Sequence, residues 1–493
     1  MKIYDTAQKQ LVEFQPLNEG LVKMYVCGAT VQDSPHIGHL RAAVAFDVFH
    51  RYLLAQGYRL EYVRNVTDID DKVLQKAEQF DQQWFARAYY YEREFTAAYD
   101  LLNVLPPTYE PRATGQIPEM VEFIERLLSR GHAYKATDGI YFDVKSWPKY
   151  GELTHQTSED ALLSDRDLAE GKVDPRDFAL WKFAKPTEPA TAIWEAPFGK
   201  GRPGWHIECS TMCLRYLGES FDIHGGGLDL RFPHHENETA QSHAAGYGFA
   251  NHWMHSAWVT LAGEKMSKSI GNVLGVQAVL QKLTPLELRF ALASTHYRKN
   301  IEWSEDSIHQ AQTAVKVFTD FLQKSVVSSQ RTENREQRIE NSLGFRIKDQ
   351  GSSNDNLHSA TCHLLPAVSG LPAKVVDALN DDLNTSEILE WLFKTVRSSE
   401  PVTEQIVSQV RATLNILGCD PLDPHWSMGD SNSDREQKLQ QTIRELVGPK
   451  LLNREQARRD KDFETADAIR LELEQLGLKL VDSPSGTEIE FES

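Results

Sequence analysis

Cysteine, histidine and glutamate residues recur in this sequence in a pattern that suits a metal ion. Cys27 ends a short apolar run, and Cys209 lies in the segment GRPGWHIECSTMC. His234 and Glu238 are four residues apart in FPHHENE, so a helix would place both on one face. Two thiolates, an imidazole and a carboxylate favour zinc over magnesium or calcium. These four residues are therefore the first candidates for a zinc site.

The spacing leaves two alternatives open at this site. His235 is adjacent to His234 and could be the ligand in its place. Cys213 follows Cys209 by four residues and could share the same helix face. A buried thiol without function is the simpler interpretation of Cys213. The residue types alone do not decide which imidazole binds the metal.

A second set of side chains suits a ligand that carries phosphate. His36 and His39 flank a glycine at the expected start of a helix, where free N–H groups and the helix dipole attract phosphate. Imidazoles there could hydrogen-bond phosphate oxygens as charge develops in a transition state. Lys265 and Lys268 lie far downstream in GEKMSKSIGN, on an expected loop, and two ammonium groups suit a polyphosphate leaving group. Taken alone, either pair could also be solvent-exposed surface.

The elements around Cys27 predict how these groups come together. VKMYVCG has the composition of a buried strand and ends at Gly28. Ser34 suits a helix N-cap, Pro35 suits the first helical position, and Gly57 suits the end of that helix. LEYVRNVTDID follows as a second strand, which completes a β-α-β unit with parallel strands. Ligands bind beyond the carboxyl ends of such strands, where Cys27 and the helix start lie.

Length, composition and charge limit the class of protein. A chain of 493 residues is expected to form three to five domains of roughly 100–200 residues each. Hydrophobic residues make up 41% and charged residues 25%, as in soluble globular proteins. The five cysteines do not suggest a disulfide scaffold, and no signal-peptide or membrane-spanning pattern is evident, so we expect a cytoplasmic protein. The net charge of −18 disfavours nucleic acid overall, although a local basic face could still bind it.

Two of these motifs also carry a family resemblance. His-Ile-Gly-His at 36–39 and Lys-Met-Ser-Lys-Ser at 265–269 together resemble the signature pair of class I aminoacyl-tRNA synthetases. The segments MYVCG, NVTDIDDK, GRPGWHIECS, FPHHENE and EKMSKSIGN are similar to those of the cysteinyl-tRNA synthetase family within that class. The resemblance extends over residues 1–310 and resumes at 378–389 and 461–487.

The resemblance implies a role for each candidate residue. The metal ligands would be Cys27, Cys209, His234 and Glu238. The catalytic residues would be His36, His39, Lys265 and Lys268. The ATP-binding residues would be Ala29, Thr30, His36, Gly38, His39 and Lys268. The amino-acid pocket would be lined by Gly28, Thr67 and Trp205.

The same resemblance implies an activity. ATP would activate L-cysteine to cysteinyl-adenylate, and the cysteinyl group would pass to the 3′ end of tRNA(Cys). One Zn²⁺ per chain would bind the substrate thiolate, Mg²⁺ would accompany ATP, and we expect a monomer. The sequence departs from the family at Phe463 and Ile489, where Trp is common, which affects the expected anticodon contacts.

Two other functions are compatible with the catalytic motifs. One is a ligase that joins cysteine to an aminosugar in mycothiol synthesis, which is expected to lack the C-terminal region. The other is a catalytically silent tRNA-binding paralogue. The C-terminal segment KDFETADAIRLELEQLG favours the tRNA ligase over the aminosugar ligase, and the intact phosphate-facing motifs argue against the silent paralogue.

The expected fold class is α/β, with a split Rossmann-like nucleotide-binding domain interrupted by a connective domain. An α-helical bundle and a small C-terminal anticodon-binding domain would follow. Within the bundle, residues 325–357 are polar and poor in aromatic side chains, which predicts a disordered insertion. The predicted units are residues 1–112 (first half of the Rossmann domain), 113–200 (connective insertion), 201–251 (second half), 252–309 (junction with the KMSKS loop), 310–429 (helical bundle) and 430–493 (anticodon-binding region).

Overall fold

The structure is a computed structural model, and it describes most of the chain. Lys268, which is predicted to contact ATP, lies outside the described residues. Among the described residues, no helix combines the length and apolar character that crossing a membrane requires. The described ranges are 1–155, 171–261, 263–265, 274–343, 368–427, 447–475, 479–483 and 486–490.

The strands of the described residues form one four-stranded parallel sheet, one four-stranded antiparallel sheet and three smaller sheets. They are β1 (Lys2–Asp5), β2 (Gln10–Glu13), β3 (Leu21–Val26), β4 (Arg59–Arg64), β5 (Ala133–Lys135), β6 (Gly139–Phe142), β7 (Phe178–Phe183), β8 (Gly201–Pro203), β9 (Phe221–Gly227), β10 (Ala250–Ser256), β11 (Val259–Leu261), β12 (Glu264–Lys265), β13 (Ile301–Glu302), β14 (Lys479–Ser483) and β15 (Gly486–Glu490).

The α-helices pack around the parallel sheet and form most of the C-terminal part of the described chain. They are α1 (Ile37–Ala55), α2 (Asp71–Gln79), α3 (Trp84–Leu101), α4 (Ile117–Ser129), α5 (Trp205–Leu217), α6 (Glu236–Ala244), α7 (Val276–Leu280), α8 (Pro285–Ala293), α9 (Glu305–Leu343), α10 (Ala373–Asn380), α11 (Thr385–Val396), α12 (Glu404–Ile416), α13 (Pro424–Ser427), α14 (residues 447–459) and α15 (Phe463–Gln475).

The parallel sheet forms the core of the predicted Rossmann-like domain, with strand order β10-β9-β3-β4. Helix α1 joins β3 to β4, and α6 lies between β9 and β10, so both pairs are β-α-β units. The predicted strand–helix–strand unit is therefore confirmed. Val26 at the end of β3 pairs with Arg64 of β4 and Gly225 of β9, so the carboxyl ends of three strands meet at one edge.

The start of helix α1 differs from the prediction that Ser34 is the N-cap and Pro35 the first helical residue. The N-cap is His36, and the helix begins at Ile37. The His36 ring accepts a hydrogen bond from the Gly38 N–H, while the His36 N–H donates to Nδ1 of His39. Histidine is an uncommon N-cap, and this reciprocal arrangement supplies what a serine hydroxyl would have supplied.

An antiparallel sheet of β5, β6, β7 and β8 is inserted between β4 and β9. Its last strand, β8, begins at residue 201, where we predicted the second half of the Rossmann domain to begin. Strand β10 spans Ala250–Ser256, across the predicted boundary at 251. The division into domains stays a prediction.

The helical region follows the sheets, and its longest member runs through part of the predicted disordered insertion. Helix α9 spans Glu305–Leu343, so its backbone continues helically through residues 325–343. Glu, Gln and Arg are frequent there and are good helix formers, which explains how a polar segment extends a helix. Residues 344–357, the rest of the predicted insertion, lie outside the described residues.

A buried charge cluster anchors helix α1 to the helical region. The Asp47 carboxylate accepts hydrogen bonds from Arg51, four residues along α1, and from Arg289 of α8. Arg289 also donates to the backbone carbonyl of Leu417, just after α12. Burial opposes the Asp47 charge, but the two arginines outweigh it and lower the pKa of Asp47 to about 2. These contacts fix the middle of α1, the helix that His36 caps, to the helical region.

The C-terminal segment forms its own small core next to helix α3. Ile489 lies in this core, while Phe463 is 62% exposed. Lys450 of α14 is buried, and its ammonium donates to the Ser34 hydroxyl at 2.9 Å. The segment therefore contacts the loop that precedes His36. The core residues are Val447, Ile469, Leu473, Leu480 and Ile489.

Candidate active site

A cavity of about 540 Å³ opens at the carboxyl edge of the parallel sheet. It is lined by the segments after β3 and β4, the first turns of α1 and α5, and the segments after β9 and β10. This is the edge at which parallel α/β sheets bind ligands. The predicted site residues that line it are Cys27, Gly28, Ala29, Thr30, His36, Gly38, His39, Thr67, Trp205, Cys209 and His234.

The four predicted metal ligands converge, and three of them line the cavity. One donor atom from each of Cys27, Cys209, His234 and Glu238 lies within 4.8 Å of the other three. The Cys27 sulfur is 3.8 Å from the Cys209 sulfur and 3.6 Å from a Glu238 oxygen. The His234 Nε2 is 3.0 Å from the same Glu238 oxygen. These four atoms could hold one metal ion.

The four candidate ligands come from three parts of the fold. Cys27 follows β3, and Cys209 lies in the buried second turn of α5. His234 lies just before α6, and Glu238 lies in the first turn of that helix. The sheet and two helices therefore bring together residues that are more than 200 positions apart in the chain.

A second group of donors overlaps the first. Cys27 and Glu238 also lie within 4.8 Å of donor atoms of His224 and His235. His224 Nε2 is 2.9 Å from the other Glu238 oxygen, and His235 Nδ1 is 2.9 Å from His255 Nε2. The sequence prediction missed His224, although its place at the end of a strand, before three glycines, was visible. Both His234 and His235 therefore lie close enough to Cys27 and Glu238 to be ligands, but only the group with His234 includes the second thiol, that of Cys209.

Cys213 takes no part in either donor group of the described residues. Its side chain is fully buried and packs in an apolar cluster with Met212 and Leu217. Burial raises the pKa of its thiol well above the ordinary value, which keeps it protonated. These observations favour the simpler interpretation of Cys213 as a buried core thiol.

The protein environment pushes all four candidate ligands toward their neutral forms. Burial raises the pKa values of the thiols of Cys27 and Cys209 and of the Glu238 carboxyl, and it lowers the pKa of His234. A divalent cation reverses this preference because it stabilises thiolates and a carboxylate at close range. Two sulfurs, one imidazole and one carboxylate, all close together, fit zinc.

Two aromatic neighbours orient the His234 ring. Trp205 stacks on it with ring centroids 4.2 Å apart. His206 places its Nδ1 2.9 Å from Nδ1 of His234, and burial together with the charge of Lys182 lowers the pKa of His206 to about 3. A neutral His206 can accept a hydrogen bond from His234 Nδ1, which leaves Nε2 of His234 for a metal.

The two histidines of the first motif stand at the N-terminus of α1. Their rings stack with centroids 3.7 Å apart. Backbone N–H groups donate to Nδ1 of both His36 and His39, so each neutral ring carries its hydrogen on Nε2. A Cβ added at Gly38 would lie 3.0 Å from the His36 ring, which explains the glycine between them. The pair could donate to phosphate oxygens at the positive end of the helix.

The second motif is only partly described. Lys265 lies in β12, where its backbone pairs with Thr260 of β11. Strand β11 follows β10 directly, so the motif begins close to the cavity segment of residues 256–259. Lys268 lies outside the described residues, and its role stays a prediction.

The three residues predicted to form the amino-acid pocket belong to the same cavity. Gly28, Thr67 and Trp205 all line the cavity. A Cβ at Gly28 would collide with the Asn65 backbone carbonyl, so glycine is required by close packing against β4. Several cavity residues were not predicted individually, although Asn65 and Lys72 lie in the family-like segment NVTDIDDK. They include Gln32, Asp33, Asn65, Lys72, Asp229 and Trp258.

The chain matches a known family of enzymes over most of its length. Residues 13–313 match the family model described as the class I (C) tRNA synthetase catalytic domain. The cysteine–tRNA ligase of Bifidobacterium longum is 45% identical over 538 residues, which cover 99% of this chain and 94% of that protein. The cysteine–tRNA ligase of a Nocardioides species is 46% identical, over 98% of each chain.

Solved structures show the same fold at low sequence identity. A Mycobacterium tuberculosis methionyl-tRNA synthetase in complex with methionyl-adenylate aligns with a TM-score of 0.51 and 15% identity, over 87% of this chain and 92% of that one. An Agrobacterium radiobacter leucyl-tRNA synthetase in a ternary complex aligns with a TM-score of 0.55 and 11% identity, over 86% and 87%. The expected class I fold is confirmed. The family model and the nearly full-length relatives show that this chain belongs to the cysteine–tRNA ligase family of class I aminoacyl-tRNA synthetases.

Proposed function

We propose that this enzyme activates L-cysteine with ATP and transfers it to the 3′ end of tRNA(Cys), with zinc holding the substrate thiolate. The observation that carries the proposal is the single cavity that joins two kinds of site. The cavity is lined by Cys27, Cys209 and His234 of the donor cluster and also by His36 and His39. A small thiol-containing amino acid fits between a metal and a phosphate site.

Zinc, when bound by Cys27, Cys209, His234 and Glu238, would supply a Lewis acid that favours the thiolate of the substrate. The protein fixes which end of the cavity the sulfur occupies. Trp205 stacks on the ligand His234 and also lines the pocket, so it can exclude water beside the sulfur. The carboxylate of the amino acid then points toward α1.

The first half-reaction requires charge stabilisation more than covalent chemistry. A cysteine carboxylate oxygen attacks the α-phosphorus of ATP, the bond to the bridging oxygen breaks, and pyrophosphate leaves with Mg²⁺. Nε2–H groups of His36 and His39 would donate to phosphate oxygens as negative charge develops. The N-terminus of α1 adds its dipole to the same region, and the anchored Asp47 keeps this helix in place.

The second half-reaction transfers the activated group. The terminal ribose hydroxyl of tRNA(Cys) attacks the carbonyl carbon of the adenylate, and AMP leaves. Residues 430–493 are proposed to read the anticodon, in keeping with the domain division predicted from the sequence. We further propose that the enzyme acts as a monomer in the cytoplasm.

The direct test is pyrophosphate exchange followed by charging. Purified protein should exchange labelled pyrophosphate into ATP only when cysteine is added, and should then charge tRNA(Cys). An aminosugar acceptor in place of tRNA should give no product. Exchange without tRNA charging but with aminosugar ligation would favour the mycothiol-type ligase, and absence of exchange would favour a silent paralogue.

A further inference from the structure

A chain of buried hydrogen bonds runs behind the amino-acid pocket. The Gly28 N–H donates to Oδ1 of Asn65 at 2.8 Å. Nδ2 of Asn65 donates to the Thr67 hydroxyl at 3.2 Å, and that hydroxyl donates to Oε2 of Glu208 at 3.1 Å. Asn65, Thr67 and Glu208 are each at most 2% exposed. Neither Asn65 nor Glu208 belongs to a predicted catalytic, metal or substrate set.

The direction of every bond in this chain is determined by its first member. A backbone N–H can only donate, so the Asn65 oxygen must face Gly28. The Asn65 amide nitrogen must then face Thr67 and donate to its oxygen. The single hydrogen of the Thr67 hydroxyl is left to point at Glu208. No rotation of the Asn65 amide preserves these bonds.

The chain connects the elements that build the pocket. Gly28 follows Cys27, and Glu208 precedes Cys209, so both ends adjoin candidate metal ligands. The Thr67 backbone is also bonded to the first ATP motif, because its N–H donates to the Ala29 carbonyl at 3.1 Å. Gly28, Asn65 and Thr67 line the cavity itself. A substitution that breaks this series of hydrogen bonds should therefore shift residues that line the cavity.

We propose that Asn65 and Glu208 are positioning residues for the amino-acid substrate, because they hold the Thr67 hydroxyl with only an acceptor lone pair left for a ligand. A hydroxyl has one hydrogen and two lone pairs, and Glu208 and Asn65 occupy the hydrogen and one lone pair. The ligand group that fits the remaining lone pair is a donor. The α-ammonium of an amino acid satisfies this requirement, whereas its carboxylate does not. The inference rests on the proposed function and assigns the amino end of the substrate to Thr67.

The first test reverses the chain at Asn65. In Asn65→Asp, one oxygen still accepts from Gly28, but the oxygen that faces Thr67 cannot donate. The single hydrogen of the Thr67 hydroxyl then satisfies only one of two acceptors, and the other repels a lone pair of the hydroxyl and displaces it from the position that fits the ammonium. Loss of one hydrogen bond to a charged group corresponds to roughly a ten- to hundredfold effect. The KM for cysteine in pyrophosphate exchange should rise by about that factor, while kcat, the KM for ATP and zinc content change by less than about threefold.

The readout that separates positioning from general damage is an analogue without an amino group. The probe is 3-mercaptopropionate, which keeps the thiol and carboxylate of cysteine. Its inhibition constant should be nearly the same for wild type, Asn65→Asp and Thr67→Val, because it has no ammonium to bind Thr67. If Asn65→Asp weakens 3-mercaptopropionate and cysteine equally, the residue only supports the pocket wall and the proposal is overturned.

Double-mutant comparisons test the connection itself. Thr67→Val should raise the KM for cysteine, and adding Asn65→Asp or Glu208→Leu to it should raise the KM little further. Glu208→Gln, which keeps an acceptor oxygen toward Thr67, should recover most of the affinity that Glu208→Leu loses. Independent, multiplying effects would contradict the chain. If Asn65→Asp does not fold, the Glu208 and Thr67 variants decide alone. A wild-type enzyme that never activates cysteine would instead refute the proposed function.

Discussion

Replacing His206 with phenylalanine should weaken zinc binding without disturbing the fold. His206 is nearly buried, and its ring contacts the Phe178 ring edge-on at 5.4 Å between centroids. Phenylalanine preserves this aromatic packing but removes the acceptor that lies 2.9 Å from Nδ1 of His234. His234 would then keep a buried N–H without a partner, and its ring would lose the contact that directs Nε2 to the metal.

Zinc affinity should fall about 10- to 100-fold in this variant, which is about 1.4–2.8 kcal/mol, because that is the usual effect of losing a hydrogen bond to the outer nitrogen of a metal-binding histidine. A buried donor left without an acceptor costs about 1–3 kcal/mol. Stronger losses would imply that His206 itself is a ligand, although it lies in neither donor group of the described residues.

The assay is competition for zinc against a chelator of known affinity. His50→Phe is the matched control, because His50 is also buried and contacts an aromatic ring, Tyr62, edge-on, but belongs to neither donor group. Zinc affinity should fall only in His206→Phe, and both variants should keep the wild-type circular dichroism spectrum. Equal zinc affinity in wild type and His206→Phe would refute the orientation argument.

Three further predictions follow from other parts of the structure. Asp47→Asn leaves two buried arginines without their carboxylate and should lower stability to urea by about 3–5 kcal/mol. Folding lowers the pKa of Asp47 from 3.8 to about 2, so the stability that its carboxylate contributes is complete above about pH 4 and is lost as the pH falls toward 2. Acid titration of Asp47→Asn should therefore show a smaller loss of stability over that range than wild type. Gly38→Ala places a methyl group against the His36 ring and should raise the KM for ATP about tenfold or more in pyrophosphate exchange, with a smaller change in the KM for cysteine; equal changes would contradict a phosphate role. Deleting residues 430–493 should reduce tRNA charging strongly while exchange stays within a few-fold, and an equal loss of both would show that the Lys450 contact makes the segment structural.

Local patterns in the sequence predict the part of the site that one segment determines. The β-α-β unit around Cys27 follows from apolar periodicity and turn residues, and the structure has it. The identity of the N-cap did not follow, because Ser34 is the better cap by propensity. In the structure, Ser34 instead binds Lys450, more than 400 residues away.

Contacts between distant segments account for the rest of what was missed. His224 of β9 and His206 of α5 complete the surroundings of Glu238 and His234 only in the folded chain. The proposed role of Asn65 depends on its hydrogen bonds to Gly28, which follows β3, and to Thr67, two residues further along the chain. No spacing rule connects such residues, so their roles could be inferred only from coordinates.

The central claim, that a metal held by these four residues recognises the substrate sulfur, is tested most directly at Cys209. Serine differs from cysteine by one atom, and pocket size alone discriminates by only about 1–3 kcal/mol. A hydroxyl is a poorer ligand than a thiol for zinc and resists deprotonation far more. Rejection of serine should therefore depend on the metal.

The measurement is pyrophosphate exchange with cysteine and with serine, alongside zinc content, in Cys209→Ser and in the matched control Cys213→Ser. Cys213 lies outside the donor groups of the described residues, so its variant should retain zinc, activity and selectivity. Cys209→Ser should lose zinc, activate cysteine orders of magnitude more slowly and discriminate poorly against serine, while its ATP affinity changes little. A zinc-free Cys209→Ser enzyme that still activates cysteine normally and still excludes serine would contradict metal recognition of the substrate.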